Sequence, residues 1–150
     1  MTARNRPDPI AMTERHTILL ATPSVDDYRR LRAESGLSPK TEAAALRGLP
    51  NSLFAVQILH EGHAVGMGRV IGDGGCVFQV VDIAVLPAHQ GQGLGKRIMA
   101  EVMRYLEAEA PESAYVSLIA DGPAKDLYAQ FGFVPTAPLS IGMAWKRQGS

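Results

Sequence analysis

The feature that most constrains this chain is one continuous stretch, residues 77–106. An almost wholly apolar run over 77–86 is stopped by Pro87. Gly91, Gly93 and Gly95 follow at every second position, and an amphipathic stripe then begins. The apolar run predicts a strand placed centrally in a sheet and covered on both faces. Leu94, Ile98, Val102 and Leu106 recur at helical spacing and predict a core-facing helix from Gly93 to about Ala110. The chain must therefore pass from strand through a glycine turn into a helix. N–H groups at such a helix start lack intrahelical partners, and the helix dipole adds partial positive charge. Glycines let the backbone approach a ligand with no side chain in the way. The combination is a cradle for phosphate, and Lys96 and Arg97 add cationic character in the same turn.

Two nucleotide motifs fail here. A dinucleotide fingerprint needs Gly-x-Gly-x-x-Gly, whereas the spacing is Gly91-x-Gly93-x-Gly95. A P-loop needs a hydroxyl after Gly-Lys, whereas Gly95-Lys96 is followed by Arg97.

The flanking sequence sets the architecture. Residues 1–16 are polar, carry Pro7 and Pro9, and read as a flexible arm, with 17–150 a single domain. A short strand over 17–21 precedes a helix capped by Ser24. A second helix is predicted to restart at Ser38-Pro39 and stop at Gly48. Strands over 53–60 and 63–71 are joined by the hairpin signal Glu61-Gly62. After the long helix come a strand over 114–119, a short helix over 123–131, and final strands over 133–134 and 141–146. The order β-α-α-β-β-β-α-β-α-β-β is an α/β (α+β) architecture, a mixed sheet with helices on both faces.

Composition excludes several classes. Fifteen Lys and Arg balance fifteen Asp and Glu, so binding to nucleic acid or an anionic membrane, which needs a basic excess, is not expected. The single cysteine, Cys76, permits no internal disulfide and fits a reducing compartment. No apolar run approaches the roughly 20 residues of a membrane helix, and the N-terminus lacks a signal-peptide core. A cytoplasmic protein is expected. His60 and His63 flank a hairpin at a spacing that suits no metal site, and no metal is expected. The cluster Arg29, Arg30 and Arg32 reads as a solvated helix face, and Cys76 as a small buried or edge residue.

What does fit is Gln90-Gly91-Gln92-Gly93-Leu94-Gly95, read as Gln/Arg-x-x-Gly-x-Gly/Ala. It resembles the acetyl-coenzyme-A signature of the GNAT superfamily of N-acetyltransferases. The preceding segment from Asp82 to Pro87 resembles that family's fourth strand. Leu127-Tyr128 with Phe131-Gly132-Phe133 resembles its next motif, Tyr-x-x-x-Gly-Phe. Val81-Asp82, taken with Ile141-Gly142-Met143 and Trp145, looks most like the branch of plastid arylalkylamine (serotonin) acetyltransferases and their bacterial relatives.

The resemblance implies a mostly antiparallel sheet whose fourth strand splays from its neighbour. Acetyl-CoA would lie along backbone groups of Ile83, Ala84 and Val85. Its pyrophosphate would rest on N–H groups of Gln90, Gly91, Gln92, Gly93, Leu94, Gly95 and Lys96. A backbone N–H near Val85 would polarise the thioester carbonyl, and a primary amine would attack directly. Tyr128 matches the family tyrosine that protonates the leaving thiolate; without the downstream Gly132-Phe133 it would read as a core aromatic beside Leu127 and Phe131, and with it the catalytic reading is favoured. Asp82 is a carboxylate in an apolar strand, which is costly unless paired. It is a candidate base or counter-ion for an ammonium substrate, or a structural acid paired with Arg69. Asp121 stands where the family often has an asparagine touching the coenzyme, so it is either a contact or a helix cap. The expected partner is a small-molecule amine, with a possible homodimer through the last strands. The rival readings are a non-catalytic acyl-CoA sensor and a protein lysine or N-terminal acetyltransferase.

Overall fold

The structure is a computed structural model that describes residues 10, 11 and 15–149. Six strands form one sheet in chain order: β1 (Ile10–Ala11), β2 (Thr17–Leu19), β3 (Phe54–His60), β4 (His63–Gly72), β5 (Val77–Val85) and β6 (Tyr115–Leu118). All neighbours pair antiparallel except β5 and β6, which run parallel. The helices α1 (Val25–Glu34) and α2 (Glu42–Gly48) pack on one face. The helix α3 (Leu94–Glu109) covers the other, and α4 (Ala124–Ala129) follows β6. The expected mixed sheet with helices on both faces is therefore present.

Local chemistry explains most boundaries. Ser24 caps α1 by accepting from the N–H of Asp27 at 3.1 Å, and Asp26 and Asp27 lie in the positive first turn. Leu94, Ile98, Val102 and Leu106 are buried together against Val56, Val70, Phe78 and Val80, the core of the α3 face. A second core on the opposite face joins Tyr28, Leu31, Ala45 and Leu49 to Met67 and Ala84.

Several expectations are corrected. Thr41, not Ser38, caps α2, accepting from the N–H of Ala44 at 3.1 Å; Ser38 is occupied by Arg32, which reaches its carbonyl at 2.7 Å and its hydroxyl at 2.9 Å. The long apolar strand is not central: among the described residues β5 is fifth of six strands and has only the short β6 beyond it. The strands expected over 133–134 and 141–146 do not form. That segment is irregular and exposed, with Met143 at 87% and Trp145 at 80%. Of the arm expected over 1–16, residues 1–9 and 12–14 lie outside the described residues. Ile10–Ala11 pairs with β2, and His16 is 2% exposed, so this part of the arm joins the sheet.

The sheet carries one irregularity that shapes the site. Met67 pairs with Ala84 and Arg69 with Val81, so Gly68 alone opposes both Asp82 and Ile83. This is a β-bulge, and Asp82 adopts φ +60° within it, a left-handed conformation that Asp tolerates better than most residues. Bulges bend the strand that carries them. The pairing of β5 with β6 covers Val77 to Val80 and ends there. Beyond Val80 the two strands part, which is the splay expected of this strand.

Candidate active site

The splayed end of β5 leads through Pro87 directly into the glycine turn. Gly91 and Gly93 both have φ +80°, and a β-carbon built on either meets open space. Glycine is thus required there by backbone conformation, and the surface above the turn is free for a ligand. The first helical donor is the N–H of Arg97, which bonds the Gly93 carbonyl at 3.0 Å. The N–H groups of Leu94, Gly95 and Lys96 therefore have no acceptor within α3. The Leu94 side chain is buried in the core, so only its backbone faces the cradle. The β-carbon position of Gly95 lies 3.3 Å from the Leu127 side chain, which seats the helix start against α4. Lys96 is exposed beside the turn. Arg97 instead turns along the helix, 3.0 Å from the buried carboxylate of Glu101, which Arg104 also bonds at 2.6 Å. Gln90 closes the turn with its side chain, donating to the Val85 carbonyl at 2.9 Å. These features fit a coenzyme pyrophosphate: fixed donors, a helix dipole, an exposed cation and, among the described residues, no side chain against the β-carbon positions of Gly91 and Gly93.

Tyr128 lies on α4, packed against the α3-side core. It borders a cavity of about 810 Å³ beside β6, whose wall also includes Leu118, Phe133 and Met143. None of the cradle residues from Gln90 to Lys96 lines that cavity. Burial, and then the nearby charge of Asp121, pushes the Tyr128 phenol above its usual value, so it holds its proton. Asp121 is exposed and does not cap α4 with its side chain; its carbonyl accepts from the N–H of Ala124 at 3.1 Å.

Asp82 is enclosed, its side chain 6% exposed. Arg32 donates to its Oδ1, Arg69 Nε donates to Oδ2 at 2.8 Å, and the Tyr28 hydroxyl donates to Oδ2 at 3.1 Å. Both guanidinium groups flank the Tyr28 ring, 5.9 Å and 5.4 Å from its centre. Burial, and then the Asp82 charge, raises the Tyr28 pKa. The paired alternative for Asp82 is thus the arrangement present, with two arginines rather than one. Arg32 is not solvated as expected but 7% exposed. Sequence reasoning did not single out Tyr28 as a partner of Asp82. The signal available was Tyr28 and Arg32, four apart on one face of α1, opposite a carboxylate that needed partners.

Of the two hairpin histidines, His60 departs from expectation. His63 is exposed, whereas His60 turns inward to face His16 and His89, with ring centres 5.4 Å and 4.9 Å away. Burial, followed by the proximity of His89 and His60, lowers the His16 pKa. Cys76 is a free, exposed thiol beside the edge of the sheet.

Residues 51–135 match the family model for the acetyltransferase (GNAT) domain, more than half of the chain. The chain belongs to the GNAT acetyltransferase family. Two solved structures share its fold over nearly their whole length. A probable acetyltransferase from meticillin-resistant Staphylococcus aureus is 52% identical with a TM-score of 0.85, over 88% of this chain and 99% of that one. A GNAT-family acetyltransferase from Streptococcus pneumoniae is 28% identical with a TM-score of 0.71, over 89% and 98%. Among curated relatives, the chloroplastic GCN5-related N-acetyltransferase 2 of Arabidopsis thaliana is 33% identical over 54% of this chain and 31% of its own length. The uncharacterized N-acetyltransferase ycf52 of Gracilaria tenuistipitata var. liui is 28% identical over 65% and 54%. The chain thus spans between about a third and about half of these curated relatives. Within the GNAT frame, the bulge at Asp82 and the turn at Gly91 and Gly93 fall inside the matched region. The segment beyond residue 135 falls outside it.

Proposed function

We propose that this chain is an acetyl-CoA-dependent N-acetyltransferase that transfers the acetyl group to a primary amine of a small molecule. The observation that carries the reading is the loss of the β6 partner after Val80, where β5 runs on into the cradle. Acetyl-CoA supplies the activated thioester. The backbone of Ile83 to Val85 lies on the splayed edge, where the pantetheine arm takes the place of a neighbouring strand. Gly91, Gly93, Leu94, Gly95 and Lys96 hold the pyrophosphate through N–H groups, and Lys96 adds charge. Gln90 keeps the turn folded onto Val85.

Tyr128 is the general acid. Its raised pKa keeps the phenol protonated through neutral pH, as a donor to a departing thiolate requires. Asp82 is a positioning residue in this reading. Both of its oxygens are engaged, so it fixes Tyr28, Arg32 and Arg69 at the bulge and holds the splay open. Asp121 contributes through charge near Tyr128.

The acceptor fits an arylalkylamine, in line with the Val81-Asp82 and Trp145 sequence features. The protein acts in the cytoplasm, where the exposed thiol of Cys76 stays reduced. It works as a homodimer. Ile141, Met143 and Trp145 alternate at strand spacing and are exposed, and β6 is an open sheet edge that a second copy can extend. Among the described residues, no helix is long and apolar enough to cross a membrane.

The test is a thiol-release screen of the purified protein with acetyl-CoA against arylalkylamines, polyamines, aminoglycosides and lysine peptides. Turnover with an arylalkylamine is expected. Coenzyme binding without turnover on any amine would favour the sensor reading, and turnover on lysine peptides alone would favour a protein substrate.

A further inference from the structure

Three of the chain's histidines meet at one point, although His16 and His89 are 73 residues apart. His16 immediately precedes β2, His60 ends β3, and His89 closes the turn between β5 and Gln90. Each offers one ring nitrogen, and the three nitrogens lie within 4.8 Å of one another. His16 Nε2 and His89 Nδ1 are 3.0 Å apart. The third ring is oriented from outside: His60 Nδ1–H donates to the Arg15 carbonyl at 2.9 Å. In the neutral ring that bond selects the tautomer whose Nε2 carries the lone pair, the arrangement that holds metal-binding imidazoles in place.

The distances suit a metal. Zinc–nitrogen bonds of about 2.0–2.1 Å in a tetrahedral site put nitrogens about 3.3 Å apart. The His16–His89 pair is already near that separation, and His60, half-buried at a strand end, closes the rest by a small side-chain rotation. Three imidazoles are a donor set for borderline transition metals, not for magnesium or calcium, which prefer oxygen. We propose that His16, His60 and His89 bind one divalent transition-metal ion of the zinc class. A fourth position is left for water or for Glu61, whose Oε2 lies 3.8 Å from His60 Nε2.

The ion is a clip, not a participant in acetyl transfer. It ties the chain entering β2 and the end of β3 to the turn that opens the cradle, because His89 is bonded directly to Gln90. It takes the place of the hydrogen bond between His16 Nε2 and His89 Nδ1. The site stands whether or not the cradle binds acetyl-CoA.

The test uses the untagged full chain, stripped with a chelator, then titrated with Zn²⁺ by calorimetry and with Co²⁺ by visible absorption. One ion per chain is expected, with an intense Co²⁺ spectrum of a nitrogen-ligated tetrahedral ion and a higher Tm. His60→Gln and His89→Gln should each weaken Zn²⁺ binding at least tenfold with unchanged circular dichroism, and His63→Gln should change nothing. The proposal is overturned by absent saturable binding, by binding that survives in the His60→Gln/His89→Gln double variant, or by binding that His63→Gln removes. If the variants do not fold, the wild-type Co²⁺ spectrum decides, and an octahedral, oxygen-ligated spectrum overturns it.

Discussion

Arg32 on α1 donates to Asp82 at the bulge of β5, a contact that crosses from the helical layer into the sheet two residues beyond Val80, the last residue of β5 paired with β6. With Arg69 and Tyr28 it converts a costly buried carboxylate into a fixed hub. The hub and the cradle lie on the same strand-turn unit. What holds the bulge therefore also sets the direction in which β5 delivers Val85 and the glycine turn.

Replacing the carboxylate tests this. Asp82→Asn keeps one acceptor oxygen but leaves two buried guanidinium groups without a neutralising charge. Removing one partner of a buried ion pair costs about 3–5 kcal/mol. A loss toward the lower end of that range is expected in urea unfolding, together with weaker acetyl-CoA binding. An Asp82→Asn protein of wild-type stability, with activity lost and the acidic limb of its pH profile moved, would instead make Asp82 the base.

Tyr128→Phe removes the proposed acid and leaves the packing of the ring intact. The expected result is a fall in kcat of about a hundredfold with acetyl-CoA affinity nearly unchanged. The active form is the protonated phenol, and burial and Asp121 raise its pKa. Activity should therefore persist into mildly alkaline solution and fall only as pH passes through that raised value. The Phe variant should lack this alkaline limb in a kcat–pH profile. A variant with the wild-type kcat would leave Tyr128 only its place in the core.

Gly93→Val separates cradle from core. A β-carbon at Gly93 meets no neighbouring atom within 4 Å, so the core packing is not the target of the change. Its φ of +80° is strained for any L residue, at about 1–2 kcal/mol. Calorimetry should show acetyl-CoA affinity falling at least tenfold while the protein remains folded. Normal affinity would place the pyrophosphate elsewhere.

Gly68→Ala probes the other side of the bulge. Its β-carbon would lie 2.7 Å from Ile98 Cγ2 and 2.8 Å from Ile83 Cδ1. Overpacking of this kind costs about 1–3 kcal/mol. A lowered Tm is expected, and an unchanged one would mean that α3 moves freely against the sheet.

The parts of this molecule legible in the sequence are those fixed by local period and local caps. The stripe from Leu94 to Leu106, the cap at Ser24 and the turn at Gly91 and Gly93 each rest on residues close together in the chain. The partners of Asp82 were half legible. Arg69 lies on the neighbouring strand and is a visible partner, but Arg32 lies on a helix 50 residues away, inside a run of arginines with the pattern of a solvated face. The histidine trio was hidden for the same reason, because its members come from three different elements. The final strands do not form although Ile141, Met143 and Trp145 alternate, because alternation records strand propensity and a strand also needs a neighbour to pair with.

The central claim is that the glycine turn after the splayed strand is a coenzyme cradle. The direct measurement is a titration of the ¹⁵N-labelled protein with acetyl-CoA, following backbone amides by NMR with calorimetry on the same sample. Saturable binding with the largest shifts at Gly91, Gly93, Leu94, Gly95 and Lys96 is the predicted result. Absent binding, or binding that leaves those amides unmoved, would contradict it.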